Sequence, residues 1–510
     1  MIEVIPSRSG KPTLKIDERL LHSAYDPVKE AEREVETIAS DRPALVVILG
    51  MGLGYAVSAA RQKLPEAKIL VVESDPEIYS LAMRTAQEHG APLPTDEGVT
   101  YVTGRNRDAN FAAITHCVGA AEIACIRYLS RLVETDPVYY SEIVDMIGRI
   151  AAMQVEGLLS TAHFGSLWWE NSVRNYREWA ALPDVSDWFG SWRGKPVLIF
   201  AAGPTLMDDL DLFASFPGAL RFVVDTAYRT VQSSGARIDA VFSIDAQEGT
   251  LDHFASALPR RLIGAPVVPP RLWPLADERI LMSLGGPHFD WFDETLGRKV
   301  ARLKSGGSVT TFAFDLARRM GADPIVLVGA DFAHRAGRRH ADGTAYETHE
   351  IEALTRFFSR ERKAFRGALV KDGCETEQNL AQYAQWMLWE IRDTPSHVFR
   401  VSDFGLLKGV PVLSRSDLKK LLDHEPSRLA PLTAHPVDPR RILEAFRAER
   451  VTLQAALSGE AAAFGVLSGF FDPIIRPAAV ASTREALQGE LLEMVLGQLR
   501  KADRVLEEIL

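Results

Sequence analysis

The chain has 510 residues, with 58 Lys and Arg against 68 Asp and Glu, a net charge of -10 and an apolar share of 46%. That length exceeds one ordinary core and suits two or three globular units, and the composition excludes a disordered chain. The acidic balance provides no overall electrostatic footprint for nucleic acid or an anionic membrane. Cys117, Cys125 and Cys374 form an odd set without CxxC or Cys/His ligand spacing, which argues against a disulfide framework or zinc site and suits a reducing cytosol. The first residues lack a basic-then-apolar leader, and no stretch reaches the roughly 18 uninterrupted apolar residues of a membrane span. A soluble, cytoplasmic protein without nucleic-acid or membrane partners is expected.

The first clear strand is the apolar run Ala44 to Leu49, of the kind found in a parallel sheet covered on both faces. It ends in Gly50-Met51-Gly52-Leu53-Gly54, enters a helical stretch through Leu64, and is followed by a second run from Lys68 to Val72 that ends at Glu73. This pattern predicts a βαβ unit with a glycine-rich turn, in which Glu73 stands where a carboxylate often accepts ribose hydroxyls. The same loop is compatible with an S-adenosylmethionine site or with a Rossmann-like domain that keeps the turn and binds nothing. From about Asp136 to Trp188 the pattern turns helical, and Trp168, Trp169, Tyr176 and Trp179 are expected to pack between domains.

A second α/β block starts at Pro196. The runs VLIFAAGPTL, LRFVVDTAYR, IDAVFSIDAQ, RILMSLGGP and DPIVLVGADF each close on Gly, Asp or Thr, which predicts a second, largely parallel sheet with its ligand at the carboxyl ends of the strands. Beyond about Asp438 the strand signal stops, leaving helical segments from Ile442 and from Ser482, interrupted by the proline-bearing stretch Gly469 to Val480. The expected fold is α/β: two Rossmann-like parallel-sheet domains, 1–135 and 191–435, joined by a helical linker, 136–190, and followed by a helical domain, 436–510.

The chemistry is expected at the second sheet. Gly203-Pro204-Thr205 follows a buried strand and opens a helix, offering amide and hydroxyl donors to a phosphate. Asp225-Thr226 and Asp245 end the next strands, Gly306-Gly307-Ser308 precedes another helix, and Asp331 closes the last strand. Convergence of these strand ends on one edge points to a nucleotide site. Beyond Asp331 comes a loop with His334, Arg335, Arg338, Arg339 and His340, which could supply a general base and cations for a leaving phosphate. A solvated basic loop explains the same residues, and Asp331, His334, His340 and Asp342 lack a recognised metal spacing.

These motifs together resemble the motility-associated factor (Maf) proteins. Ser23 to Ala31 (SAYDPVKEA) looks like their N-terminal signature, and the aromatic segment Phe164 to Asn175 looks like their pre-catalytic helix. GPTL at 203 to 206, SID at 243 to 245, GGSV at 306 to 309 and the GADFAH…RHADGT run follow in the family's order. The central domain of that family is similar to bacterial sialyltransferases and to an archaeal pterin pyrophosphokinase. The resemblance implies transfer of a nonulosonic acid from a CMP-activated donor to Ser or Thr of flagellin, with no required cofactor and the need for a divalent metal left open. Gly203, Pro204 and Thr205 would then lie under the CMP phosphate and ribose, and Asp225, Thr226 and Asp245 near nucleotide or sugar. Gly306, Gly307 and Ser308 would hold the donor at the opposing helix end, with His340, beside Asp331, as acid or base. Two departures stand out: Ala202 and Thr205 replace the Asn and Ser of the sialyltransferase motif, and Gly329-Ala330-Asp331-Phe332-Ala333 replaces GQDLA. The C-terminal helices are expected to dock flagellin. A pterin or nucleotide pyrophosphokinase with magnesium on Asp225, Asp245 and Asp331 is one alternative, and a non-enzymatic flagellin chaperone is another.

Overall fold

The structure is a computed structural model that describes residues 2–119, 122–208, 210, 216, 218–346, 369–422, 428–458, 467–481 and 488–510. The chain forms two compact units, one of Met1–His163 with Arg476–Leu491 and one of Phe164–Ile475 with Leu492–Leu510.

The first unit begins with an antiparallel meander, β1 (Ile2–Pro6), β2 (Pro12–Ile16) and β3 (Arg19–Leu20). Its main sheet holds β4 (Leu45–Leu49), β5 (Lys68–Glu73), β6 (Val99–Thr103) and β7 (Ile126–Leu129), all parallel, in the order β6-β5-β4-β7. Every residue of β4 is buried, as a strand covered on both faces requires. Helices Pro27–Ala39 and Pro76–Glu88 start on Asp26 and Asp75, whose carboxylates accept from Lys29 N and Glu77 N, with a proline in the first turn where no amide donor is needed.

The second unit is built on seven parallel strands: β8 (Val197–Phe200), β9 (Leu220–Val224), β10 (Ala240–Ser243), β11 (Arg261–Gly264), β12 (Glu278–Leu281), β13 (Ile325–Val328) and, after the hairpin of β14 (Leu369–Lys371) and β15 (Cys374–Thr376), β16 (Val398–Arg400). Their order is β12-β11-β10-β9-β8-β13-β16. The chain walks outward from β8 to β12 and then returns to the other side of β8 as β13. The connections diverge between β8 and β13, and such a switch opens a crevice beyond the carboxyl ends of the strands.

Both expected parallel sheets are present. β11 and β16 were not expected: RLIG and VFR are short and carry an arginine, so neither has the continuous apolar signal of a buried strand. The stretch Gly469 to Val480, expected to interrupt helices, instead forms a 3₁₀ turn, Gly469–Phe471, and most of the helix Asp472–Ala481. Pro473 falls in the first turn of that helix, where its missing amide costs nothing. Of the C-terminal helical segment from Ser482, residues 482–487 lie outside the described residues, and the helix Gln488–Ile509 covers the remainder.

The tryptophans pack inside the second unit. Trp169 stacks on Phe471 with ring centroids 5.8 Å apart, and Trp179 stacks on Phe292 at 5.0 Å. Phe446, on helix Arg440–Ser458, stacks on Trp291 at 5.8 Å. The helix after Asp438 therefore closes an aromatic core around Phe292, Phe446 and Phe470.

Candidate functional site

At the switch, Gly203 leaves β8 and Asp331 leaves β13. Asp331 is buried, and its two oxygens accept from Thr205 N at 2.8 Å and Thr205 Oγ1 at 2.7 Å. Burial raises the Asp331 carboxyl to about 6 against the lowering effect of those bonds. Gly203 N donates to Gly329 O at 2.8 Å, and a Cβ on Gly203 would stand 2.3 Å from that oxygen and 2.6 Å from Asp331 Oδ2. The glycine is needed for close approach of two strand ends. Thr205, expected to face a phosphate, spends both of its donors on Asp331.

Asp225, at the end of β9, is buried and accepts from Ser243 Oγ at 2.7 Å and Thr226 N at 2.7 Å. Burial raises its carboxyl, with the nearby His253 acting in the opposite direction. Thr226 and Asp245 remain half-buried, and Asp245 accepts from Gln247 N at 3.0 Å. The loops after β10 and β11 are braced from behind by two buried asparagines one helical turn apart on Pro137–Arg174 and just beyond it. Asn171 Nδ2 donates to Ala246 O and Val267 O, and Asn175 Nδ2 to Pro266 O and Val268 O. These amides give the aromatic segment Phe164 to Asn175 a role in holding strand ends that its composition did not reveal.

His340 is half-buried, and its ring stacks on Tyr346 at 5.0 Å, while the edge of His253 meets the same tyrosine at 5.1 Å. Desolvation, then Arg339 and His253, push the His340 imidazole down to about 3, although a hydrogen bond to the Ala202 backbone and the charge of Glu377 work upward. The ring is therefore neutral across the physiological range. Its neighbour Ala341 N donates to Ala202 O at 2.9 Å, which ties this segment to the end of β8.

Between Asp331 and His340 the chain makes a tight hairpin. Arg335 and Arg338 exchange backbone hydrogen bonds of 3.0 Å around Ala336 and Gly337, both at positive φ, as a two-residue hairpin turn demands. The exposed Arg335 and Arg338 pair with Asp208 and Asp342. On the opposite face His334 Nε2 and Arg339 Nη1 each lie 3.2 Å from an oxygen of Glu377, a residue that sequence reasoning missed.

Glu377 precedes helix Gln378–Asp393. That helix also reaches the other glycine-rich turn. A Cβ on Gly306 would meet Trp386 Cγ at 2.6 Å, and one on Gly307, at φ +103°, would meet Tyr383 Cε1 at 2.5 Å. Both glycines thus make room for aromatic rings of this helix. Ser308 caps helix Val309–Met320 by position, and its buried Oγ has no hydrogen-bond partner among the described residues.

The glycine-rich loop of the first unit is filled by its own chain. Gly50, Met51, Gly52, Leu53 and Gly54 are buried. Met51 N donates to Glu73 Oε2 at 3.0 Å, and Leu53 N to His22 Nε2 at 2.7 Å. A Cβ on Gly50 would meet Leu132 Cβ at 2.6 Å, and one on Gly52 would meet His22 Nε2 at 2.3 Å. Burial holds His22 down at about 4, so its neutral ring can accept the amide proton. Glu73, expected to reach a ribose, is 3% exposed and turned onto the loop.

Residues 170–337 match the family model for the 6-hydroxymethylpterin diphosphokinase MptE-like domain. The second unit therefore contains an MptE-like domain. Over its whole length the chain has the fold of the Maf glycosyltransferase from Magnetospirillum magneticum AMB-1, with a TM-score of 0.52, 14% identity, and 99% of this chain and 91% of that one covered. Both the Maf-like fold and the MptE-like centre expected from the sequence are thus present. No curated protein matches the chain. Among the described residues, no helix is long and apolar enough to cross a membrane, and no group of three or more His, Cys, Asp or Glu is arranged to hold a metal ion.

Proposed function

We propose that the chain is a glycosyltransferase that moves a nonulosonic acid, pseudaminic or legionaminic in kind, from a CMP-activated donor to Ser or Thr hydroxyls of flagellin in the cytoplasm. The observation that carries this reading is the placement of His340 at the switch of an MptE-like domain, where Ala341 N on Ala202 O ties its segment to the end of β8. The whole-chain likeness to a Maf glycosyltransferase supports it.

In this mechanism the acceptor oxygen bonds to the anomeric carbon while the bond from that carbon to the CMP phosphate oxygen breaks, and CMP leaves with the electron pair. The acceptor proton passes to the lone pair of His340, which acts as the general base. Asp331 acts through Thr205 by fixing the turn after β8. The half-buried Gly203, Pro204, Thr226 and Asp245 make up the polar surface for the donor.

The test is intact-mass analysis of flagellin from cells carrying the native chain, a deletion, or His340→Ala. Loss of a glycan mass in the last two, with the variant still folded, is expected; an unchanged mass in both overturns the proposal and leaves a scaffold or chaperone role. The MptE-like match favours one second reading, diphosphoryl transfer from magnesium ATP to a pterin or nucleotide. It is tested by assaying the purified chain with 6-hydroxymethylpterin and ATP. The internal bonds already made by Asp225 and Asp331 favour the glycosyl reading over one that uses them as magnesium ligands.

Flagellin docking on the C-terminal helices is tested at the surface, because truncation after Asp438 would uncover the aromatic core at Phe446. Val451, 68% exposed on helix Arg440–Ser458, is the position to change to Asp, with flagellin pull-down as the readout.

A further inference from the structure

Alternation along the hairpin that precedes His340 sorts its charged side chains onto two faces. Arg335 and Arg338 are directly opposed across the turn, so His334 and Arg339 form the next pair outward, with their side chains on the other face. The outer face carries the exposed pairs with Asp208 and Asp342. The inner face converges on one carboxylate: Arg339 Nη1 is 3.2 Å from Glu377 Oε2, and His334 Nε2 packs 3.2 Å from Glu377 Oε1 without completing a hydrogen bond. The Glu377 side chain is only 12% exposed, so its ion pair with Arg339 is shielded from the screening that weakens the outer pairs.

The backbone repeats the arrangement. His334 N donates to Glu375 O at 2.6 Å, and Thr376 Oγ1 donates to Phe332 O at 2.8 Å. The chain entering Glu377 is thus stitched to the first arm of the hairpin. The second arm, with Arg339 and His340, has Glu377 as its side-chain anchor on this face. Beyond the hairpin, Ala341 N on Ala202 O fixes the exit.

We propose that Glu377 is the positioning residue for His340: by packing against one side chain from each arm, it closes the base of the hairpin and holds the imidazole in its half-buried place beside Ala202 and Tyr346. The role is specific to the proposed transfer reaction and rests on that reading, but the placement of His340 can be tested without it. The titratable and charged groups that act on His340 are Arg339, His253 and Glu377, with desolvation the largest influence and Tyr346 stacked on the ring.

Two consequences of removing the Glu377 charge have opposite signs. Loss of its electrostatic effect alone would lower the His340 titration point further. Release of the hairpin would return the ring to water and raise that point from about 3 toward the ordinary imidazole value of 6.5. An upward shift is therefore the signature of positioning.

The experiment uses the full chain with isotope-labelled histidine, the His340 signal being assigned by its loss in His340→Ala. Glu377→Gln is expected to raise the His340 titration point by more than about one unit, toward the ordinary imidazole range. It should also lower kcat for sugar transfer about tenfold while leaving the donor KM within about twofold, as expected for a group that orients the base without binding substrate. To separate positioning from general instability, the charge swap Glu377→Arg with Arg339→Glu is the control. The double variant is expected to recover at least half of kcat relative to Glu377→Arg alone. An unchanged or lowered His340 titration point in folded Glu377→Gln overturns the proposal, as does a swap that recovers no kcat. If the wild-type chain transfers no sugar, the function proposed above fails, while the titration still decides whether Glu377 positions His340.

Discussion

The two parallel sheets use the same device, a glycine turn after a buried strand, to different ends. In the first unit the loop Gly50 to Gly54 is buried, and its amides are taken by Glu73 and His22, while Leu132 and His22 occupy the space a side chain would need at Gly50 and Gly52. In the second, Gly203, Pro204, Thr226 and Asp245 remain half-buried, beside a hairpin dense in His and Arg. A glycine-rich turn thus reports close approach of something, and the something can be the protein itself.

The sharpest break between the two regions is expected in activity. His340→Ala should reduce flagellin modification by about 100-fold or more, the usual worth of a general base, with the melting temperature and circular dichroism of the wild type. Modification that persists at the wild-type level would count against the second sheet as the site.

Glycine replacement separates the regions next. Gly203→Ala brings Cβ to 2.3 Å from the backbone Gly329 O, so a strand end must move and transfer should be lost. Gly52→Ala meets a side chain, His22, at the same distance and sits at φ +53°. It should lower stability by roughly 1–3 kcal/mol, the usual cost of such strain, with transfer per folded molecule unchanged. Activity assays normalised to the folded fraction distinguish the two.

The pH dependence of stability is expected to have opposite signs at the two sites. His22 titrates at about 4 when folded against 6.5 as the ordinary value, so its contribution is present above pH 6.5 and is lost as pH falls to 4, to the extent of ~3 kcal/mol. Asp331 is raised from 3.8 to about 6, so its contribution is present below pH 3.8 and is lost as pH rises to 6, again by ~3 kcal/mol. Urea unfolding of His22→Gln and Asp331→Asn between pH 4 and 7 should remove one slope each; a wild-type slope retained in either variant breaks the assignment. The smallest effect is a null one. Calorimetry should detect no S-adenosylmethionine binding to the wild type, and binding that is lost in Gly52→Val would reverse the view of the first loop as self-filled.

The sequence by itself determined both sheets wherever strands were long and apolar, as in ALVVIL and DPIVLVG, because a fully buried parallel strand leaves a continuous hydrophobic run. It also singled out the switch residues Gly203, Thr205 and Asp331, since strand ends in such folds carry their polar groups at fixed places. Strands as short as RLIG and VFR carried too little signal. Only the tertiary structure decided the partners: His22 reaches Leu53 across 31 positions and Thr205 reaches Asp331 across 126. Glu377 stands in an unremarkable CETEQ stretch, and nothing local marks it as the anchor of His334 and Arg339. Local patterns record which face of an element is buried. Which side chain fills a turn or closes a hairpin depends on contacts between distant segments, and those exist only once the chain has folded.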